Sequence, residues 1–284
     1  MRSVVITGTS TGIGWGTAKV LIGNGFRVFG SVRKVTDAER LAAEFGPNFV
    51  PLVFDVTDEA AVKAAADQVR AALAGEKLSG LVNNAGVAVA GPLLELPIED
   101  FRHQIEINLI GVVITTQAFA PLLGVDRKLT GSSGRIINIG SVGGRNAVPF
   151  LSPYNASKFA MEGLSESLRR ELLPFGVDVI LIGPGAVATP IWGKAEQIDV
   201  TPYRNTPYAV PLERLRNYML GMGKKGLPPE RIGEAVLLAL TAPKPKVRYA
   251  VSPQPLQDFV ARTFPRRFVD RMIGGRLGLL PARG

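Results

Sequence analysis

The chain has 284 residues, of which 46% are hydrophobic and 20% are charged, a balance typical of a globular protein rather than a disordered or fibrous one. It contains no cysteine and a single histidine, His103. Disulfides, thiol nucleophiles, cysteine-ligated zinc and a histidine-rich metal cage are therefore excluded. Any redox chemistry must therefore come from a cofactor.

The net charge of +9 is concentrated near the carboxyl end. Beyond residue 240 there are nine basic and two acidic residues, a local net charge of +7. The same stretch carries spaced apolar side chains such as Phe264, Phe268 and Ile273. We predict a basic amphipathic extension over residues 256–284: a packed, solvated surface is favoured, weak contact with an anionic membrane is the alternative, and nucleic acid is not expected.

Three residues precede the apolar strand-like run Val4-Val5-Ile6, and no uncharged apolar stretch has the length of a membrane span. These features favour a cytoplasmic protein.

In chain order, short β-branched runs alternate with longer helical patterns. Strands are predicted at residues 3–6, 27–29, 49–54, 80–82, 135–139 and 177–182, and helices at residues 17–22, 38–45, 60–73, 98–122 and 156–173. Continuous apolar strands indicate a sheet covered on both faces. We therefore predict an α/β fold with a doubly wound parallel sheet of about seven strands, in one catalytic domain over residues 1–255.

The regular alternation stops at residues 186–227, where proline, aromatic and methionine side chains accumulate. A long irregular insertion of this kind is usually functional, so we predict a lid over an apolar ligand. Surface packing or a subunit contact is the alternative. Candidate walls of the pocket, each of which is as consistent with the core, are Leu93, Leu94, Val148, Phe150, Trp192 and Met219.

A glycine-rich segment follows the first strand directly and begins a helix. Its ligand-facing residues are predicted to be Gly8, Ser10, Thr11, Gly12, Ile13 and Gly14. Glycines permit the tight turn and the close approach of the backbone to a pyrophosphate, and the helix N-terminus offers amides and a positive dipole end. The strand–turn–helix context indicates dinucleotide binding.

The residues that end the second strand discriminate between the two dinucleotides. An acidic residue there binds the ribose hydroxyl groups of NAD(H), and a basic one accepts the extra phosphate of NADP(H). This chain has Arg33 and Lys34, with no acid before Asp37. NADP(H) is favoured, with Arg33 on the adenine or the phosphate; NAD(H) remains the alternative, with Arg33 and Lys34 simply solvated.

Tyr154 and Lys158 are four residues apart at the start of a helical pattern, so their side chains share one face. A phenol titrates near pH 10, and a neighbouring ammonium group favours the phenolate. The pair predicts a proton-transfer residue with a lysine that tunes it. Its spacing alone recurs by chance in structural helices.

In combination, these motifs resemble the short-chain dehydrogenase/reductase family. They occur in order up to about Thr189 and comprise Thr7 to Gly14, Asn83-Asn84-Ala85-Gly86, Asn108, Ser141, Tyr154 with Lys158, and Pro184-Gly185 with Thr189. The resemblance implies a Rossmann-type fold and an oxidoreductase that interconverts an alcohol with a ketone or aldehyde. Segments around Ser141, Phe159 and Pro174 are similar to the hydroxysteroid and retinol dehydrogenase branch, which implies a bulky apolar substrate.

The resemblance also implies residue roles. Tyr154 would exchange a proton with the substrate oxygen, and Ser141 would hydrogen-bond that oxygen. Lys158 would bind the nicotinamide ribose and lower the Tyr154 pKa. Asn108 would hold a water of the proton relay. Residues implied to contact the cofactor elsewhere are Asp55 and Val56 near the adenine, Asn84, Ala85 and Gly86 along its length, and Pro184, Gly185, Val187 and Thr189 at the nicotinamide end. The family also implies a homodimer or homotetramer. Two rival hypotheses are a cofactor-binding sensor without catalysis and a peripheral membrane protein, and His103 is interpreted as a surface residue.

Overall fold

A computed structural model describes residues 1–189 and 201–281 of the chain. Seven strands form one sheet, in the order β3-β2-β1-β4-β5-β6-β7, and every neighbouring pair is parallel. The strands are β1 Ser3–Ile6, β2 Arg27–Val32, β3 Phe49–Val53, β4 Gly80–Asn83, β5 Arg135–Ile139, β6 Asp178–Pro184 and β7 Arg248–Val251. The predicted doubly wound parallel sheet is confirmed.

Helices connect the strands and cover both faces of the sheet. In the described parts of the chain they are α1 Gly12–Gly23, α2 Val35–Phe45, α3 Glu59–Leu73, α4 Ile98–Ile105, α5 Gly111–Ala120, α6 Ser152–Glu171, α7 Ala209–Lys224, α8 Pro229–Thr241, α9 Pro255–Thr263 and α10 Arg266–Leu277. The strand β7 and the helices α7, α8, α9 and α10 were not predicted individually.

Two apolar cores lie on opposite faces of the sheet. Neighbouring residues of β1 divide between them, with Val5 in one core and Val4 and Ile6 in the other, all fully buried. Alternate side chains of a strand point to opposite faces, so a strand buried on both sides has no position that faces solvent. This is why the sequence shows continuous apolar runs instead of an alternating pattern.

The strand order reverses between β1 and β4, since β1 pairs with β2 on one side and with β4 on the other. In open parallel sheets, ligands bind at the carboxyl ends of the strands beside such a reversal. The loops after β1, β4, β5 and β6 carry most of the predicted site residues, and they meet at this edge.

One helical stretch runs from Ile98 to Val125 and has the length and apolar character of a membrane span, but 61% of its most apolar window is buried inside the protein. It comprises α4, a π-helical turn over Glu106–Ile110, α5 and a second π-helical turn over Pro121–Val125. The buried polar side chains of Asn108, Thr115 and Thr116 lie along it. A polar stripe of this kind suits a core helix of the folded domain.

The predicted lid is more regular than its sequence suggests. Its described part contains the 16-residue helix α7, which buries Leu212 and Leu215 against Phe150 and Leu277 in a third apolar cluster. Residues 190–200, including the predicted pocket residue Trp192, lie outside the described residues.

Leu277 is the last residue of α10, so the carboxyl-terminal extension packs onto the lid helix. The packing of α10 explains its apolar periodicity, because Val269 and Leu277 are buried while its arginines face outward.

Candidate active site

The glycine-rich loop between β1 and α1 adopts a conformation that its glycines permit. Gly8 has φ of 71° and Gly12 has φ of 62°, values that side chains with a Cβ rarely adopt. A Cβ on Gly14 would lie 2.1 Å from the carbonyl oxygen of Gly8. The first turn of α1 is therefore held directly against the loop.

The amides at the start of α1 are left for a ligand. Within the described chain, the Thr11 side chain at the N-cap makes no capping hydrogen bond, so the orphan amides of the first turn lack the usual side-chain acceptor. A pyrophosphate is the natural acceptor at such a helix end. The loop thus fits the predicted dinucleotide on the geometry of this chain.

The segment after β4 supports the loop from the other side. The Asn84 amide nitrogen Nδ2 donates to the carbonyl oxygens of Thr7 and Gly8, both at 2.9 Å, and Ala85 lies against Gly8 at 3.0 Å from the Cβ that Gly8 lacks. Gly86 faces Asn108, whose Oδ1 would lie 3.1 Å from a Cβ at position 86. The three predicted residues of this segment, Asn84, Ala85 and Gly86, are brought to the loop.

Arg33 lies exposed just beyond the end of β2. Ser31, two residues earlier, accepts a hydrogen bond from the Gly8 amide at 3.0 Å, so this strand end is tied to the glycine-rich loop. Arg40 of α2 also donates to the loop, at 2.7 Å from its Nη2 to the Ser10 carbonyl oxygen. Sequence reasoning missed Arg40, because an arginine inside a helix carries no distinguishing pattern.

Asp55 and Val56 follow β3 on the same edge of the sheet, but they have local partners. The Asp55 carboxylate accepts hydrogen bonds from the amide and the hydroxyl of Thr57, at 3.1 and 2.9 Å. Val56 is buried against Gly111. The predicted contact of these two residues with adenine stays a prediction.

Ser141, Tyr154 and Lys158 converge at the end of β5. The Lys158 ammonium donates to the carbonyl oxygen of Ile139, the last residue of β5, at 2.8 Å, and its Nζ lies 5.8 Å from the centre of the Tyr154 ring. Ser141 has extended backbone angles and accepts a hydrogen bond from the Gly143 amide at 3.0 Å. The one-turn spacing of Tyr154 and Lys158 on α6 therefore places both side chains at the strand end that carries Ser141.

Burial shifts both titrating groups toward their neutral forms. Desolvation raises the pKa of Tyr154 above its ordinary value, and a side-chain hydrogen bond with Ser141 acts in the opposite direction. Desolvation lowers the pKa of Lys158 to about 8. The net direction for Tyr154 is upward, because the penalty for burying a phenolate outweighs the hydrogen bond with Ser141. The predicted lowering of this pKa by Lys158 stays a prediction.

Asn108 lies in the π-helical turn Glu106–Ile110 and is almost fully buried. Its Nδ2 donates to the carbonyl oxygen of Val87 at 3.0 Å and to Ser157 Oγ at 3.2 Å. Ser157 Oγ in turn donates to the Tyr154 carbonyl oxygen at 2.7 Å. Asn108 is thus connected to the backbone of the predicted proton-transfer residue, at a helical irregularity of a kind often found at functional sites.

A cavity of about 590 Å³ joins the cofactor edge to the lid. Predicted site residues on its wall are Ile13, Asn84, Gly86, Asn108, Ser141, Tyr154, Lys158, Pro184, Gly185, Val187 and Thr189. Gly12 touches this wall, since a Cβ on it would lie 3.2 Å from Thr189. The other predicted cofactor residues lie along the same edge, outside the wall.

Some pocket predictions are corrected. Val148 and Met219 line the cavity, but Leu93 and Leu94 are exposed and lie outside its wall. Phe150 is buried within the lid cluster, where its ring packs edge-on against Tyr208. The segment carrying Leu93 and Leu94 has no helical or strand periodicity from which the direction of its side chains could be predicted.

Sequence reasoning also missed a charged cluster and a helix at the cavity. Glu162 binds both Arg145 and Arg248, at 3.1 and 2.9 Å, and α9 contributes Pro255, Asp258 and Phe259 to the wall. The arginines are more than 100 residues apart in the chain, so no local pattern reveals their shared partner.

A seven-stranded parallel sheet with a glycine-rich turn at its reversal point defines a Rossmann-type dinucleotide-binding protein. The family model for short chain dehydrogenases matches residues 2–199. The chain belongs to the short chain dehydrogenase family, and it is accordingly an oxidoreductase of the kind that acts on alcohol and carbonyl groups.

Three known proteins illustrate the relationship. The chain is 40% identical over 273 residues to an NADPH-dependent 3-dehydrocapnine reductase of Ornithobacterium rhinotracheale, covering 96% of each chain. It is 36% identical over 264 residues to 17-beta-hydroxysteroid dehydrogenase type 1 of Homo sapiens, covering 87% of this chain and 76% of the relative. The structure of a short chain dehydrogenase from Burkholderia cenocepacia J2315 in complex with NADP superposes with a TM-score of 0.71 at 26% identity, covering 96% of this chain and 99% of that one. The predicted likeness to hydroxysteroid dehydrogenases is confirmed.

Proposed function

We propose that this protein is an NADPH-dependent reductase of an apolar ketone, with Tyr154 as the proton donor. The observation that carries the proposal is the buried group of Ser141, Tyr154 and Lys158 on the wall of a cavity that extends beneath a lid rich in methionine and leucine. The NADPH dependence named for the Ornithobacterium relative and the NADP bound in the Burkholderia structure support the choice of cofactor.

The cofactor would lie along the carboxyl edge of the sheet. The amides of α1 and the glycine-rich loop would hold its pyrophosphate, Arg33 would accept the 2′-phosphate, and the segment from Pro184 to Thr189 would flank the nicotinamide. When bound, NADPH supplies the hydride.

The state of the side chains suits reduction. Burial holds Tyr154 as the neutral phenol, which is the form that donates a proton to a carbonyl oxygen as negative charge develops there. Ser141 would donate a hydrogen bond to the same oxygen. Below pH 8 the Lys158 ammonium, close to the ring, stabilises the phenolate left after transfer.

The substrate is proposed to be apolar because the lid side of the cavity is lined by Val148, Leu215, Met219 and Met222. Methionine and leucine walls favour a flexible or bulky hydrocarbon over a polyol. The related proteins are named for 3-dehydrocapnine and a 17-beta-hydroxysteroid. The candidate ketones are therefore 3-dehydrocapnine and the 17-ketosteroid that corresponds to the named alcohol.

The test is NADPH oxidation at 340 nm by the purified chain, with 3-dehydrocapnine, a 17-ketosteroid, retinal, an aliphatic aldehyde and a keto sugar. Turnover of one or more of the apolar compounds is expected. Activity confined to the sugar would refute the apolar substrate. No activity with any compound, together with tight NADPH binding, would favour the non-catalytic sensor.

Tyr154→Phe tests the proton donor, and Tyr218→Phe, which also removes one hydroxyl from the cavity wall, is its matched control. We expect kcat to fall by about 10²–10⁴-fold in the first variant, the usual contribution of general acid catalysis, and to change little in the second. NADPH affinity, measured by fluorescence titration, should be unchanged in both. Equal kcat values in Tyr154→Phe and wild type would exclude the assigned role.

A further inference from the structure

One carboxylate on the cavity wall is left without a partner. Asp258 belongs to the first turn of α9, is partly buried, and lines the same cavity as Ser141 and Tyr154. Its backbone amide donates to the Gln254 carbonyl oxygen at 3.1 Å. Among residues 1–189 and 201–281, its carboxylate takes part in no ion pair or side-chain hydrogen bond.

The cations of the cavity wall, by contrast, are already engaged. Arg145 and Arg248 share Glu162, and the Lys158 ammonium donates to the Ile139 carbonyl oxygen. A bound anion would compete with Glu162 for the arginines, whereas a bound cation would find the Asp258 carboxylate unoccupied. Asp258 is thus the charged group on the described wall that a substrate can pair with without displacing a protein partner.

We propose that Asp258 recognises a positively charged amino group on the substrate, so that the cavity selects an apolar amino ketone over a neutral ketone of the same length. The inference rests on the proposed function and narrows its substrate class. An ammonium group brought into a partly desolvated cavity pairs with a carboxylate through a charge-assisted hydrogen bond, which is stronger than a neutral one.

The first test compares kcat/KM for 2-aminododecan-3-one and dodecan-3-one in wild type, Asp258→Asn and Asp270→Asn. Asp270 is an exposed acid of α10, so its variant controls for the loss of one negative charge near the carboxyl end. We expect Asp258→Asn to lower kcat/KM for the amino ketone by about tenfold to a hundredfold, mainly through KM, as expected for one hydrogen bond to a charged group. The neutral ketone and the Asp270→Asn control should change by less than about threefold.

An equal loss for both ketones in Asp258→Asn would show that Asp258 merely stabilises the start of α9, and would overturn the proposal. Unchanged values for both ketones would overturn it as well.

The second test needs no turnover. Binding of decylamine and decan-1-ol to the complex of the enzyme with NADP⁺ is measured by calorimetry in the same variants. A preference for the amine that disappears in Asp258→Asn supports the inference even if every ketone assay is negative, in which case only the proposed reaction fails. The absence of any such preference in wild type overturns the inference even if neutral ketones are reduced.

A separate observation concerns the exposed side of α10 and the turn that precedes it. Phe264, Arg267, Phe268 and Arg271, here called the basic aromatic face, are all exposed, and the two rings pack together with centres 5.4 Å apart. Within the described chain neither Arg267 nor Arg271 takes part in an ion pair. The opposite side of α10 already buries Val269 and Leu277, so the exposed rings are not needed for the core.

We infer that the basic aromatic face docks onto an anionic lipid bilayer. Unpaired arginines complement the negative surface potential of such a bilayer, and exposed phenylalanine rings suit its interfacial region. The face follows directly on α9, whose Leu256 is exposed and whose Phe259 lines the cavity. Docking there would place the cavity wall next to the source of an apolar substrate.

Co-sedimentation with vesicles of 70% phosphatidylcholine and 30% phosphatidylserine tests this inference in the full chain. The variants are Phe264→Ser with Phe268→Ser, and Arg267→Gln with Arg271→Gln. The control is Arg127→Gln with Lys128→Gln, an exposed basic pair in the loop before β5. We expect the double arginine variant to bind about thirtyfold more weakly, from about fivefold per surface charge, and the control to bind like wild type.

Equal binding of wild type and both face variants would overturn the inference. So would a dimer in analytical ultracentrifugation that both face variants dissociate, because the face would then bind a second copy of the chain.

Discussion

Replacing Lys158 by methionine should change how the stability of the cofactor-free protein depends on pH. The pKa of Lys158 falls from 10.5 to about 8 on folding because the ammonium is buried. Between these values the unfolded chain binds more protons than the folded chain, so stability rises with pH across this window and the destabilisation is fully present below pH 8. The shift corresponds to about 3 kcal/mol in total, of which about 2 kcal/mol should be recovered between pH 7 and 9.5.

Methionine keeps the apolar stem of the side chain and removes the titrating group. Lys158→Met should therefore lack this rise of about 2 kcal/mol. In addition, its free energy of unfolding should be lower by about 1–3 kcal/mol at every pH, because the Ile139 carbonyl loses its donor. The window stops below pH 10 because the raised pKa of Tyr154 has the opposite consequence: the folded chain keeps the phenolic proton longer, so stability falls as the pH rises further.

The measurement is reversible urea unfolding of wild type, Lys158→Met and Lys63→Met at pH 7, 8, 9 and 9.5. Lys63 is an exposed residue of α3, so its variant should follow wild type. If Lys158→Met gains as much stability as wild type between pH 7 and 9.5, then the Lys158 ammonium is not desolvated in the folded protein and the reasoning fails.

Three further predictions concern the loop, the cofactor and the lid. Gly14→Ala should lower the free energy of unfolding by about 1–3 kcal/mol or more, and the melting temperature with it, because its Cβ would lie 2.1 Å from the Gly8 carbonyl oxygen. Gly23→Ala is the control in the same helix, since nothing lies within 4 Å of its Cβ, and equal melting temperatures for the two variants would contradict the packing described. Arg33→Asp should reduce the ratio of kcat/KM for NADPH to that for NADH by about tenfold or more, while Lys34→Asp should change it less; a ratio unaffected by Arg33→Asp would remove Arg33 from the phosphate site. Leu277→Ala should cost about 2–5 kcal/mol in the lid cluster and raise KM for the ketone but not for NADPH, whereas parallel changes in both KM values would show that the cluster supports the whole fold and not the lid alone.

Much of the catalytic half of the site could be predicted from local sequence. The glycine-rich turn after β1 and the pair Tyr154 and Lys158 on α6 depend on spacing within one turn or one helix, and the structure brings both to the cavity. These features could be predicted because glycine spacing within a turn and periodicity within a helix determine where the groups point.

The substrate half could not be predicted in the same way. Leu93 and Leu94 were wrong as pocket residues, and Asp258 and Phe259 were not anticipated, because the helix α9 reaches the cavity only through contacts distant in sequence. The carboxyl-terminal extension was interpreted as a packed, solvated surface, and its sequence does show the amphipathic pattern. An amphipathic pattern does not identify the element against which the apolar side packs. In the structure, the apolar side of the extension packs against the lid helix α7.

The pKa of Tyr154 shows the same difference between what local sequence predicts and what tertiary contacts decide. The sequence by itself determined which groups neighbour each other along the chain, namely a phenol one helical turn from an ammonium. It also determined the fold class and the class of chemistry. Only the tertiary structure decided how far those groups are removed from water, and that burial sets their protonation states. Desolvation depends on every element packed around a group, so it is a property of the folded chain that no local spacing contains.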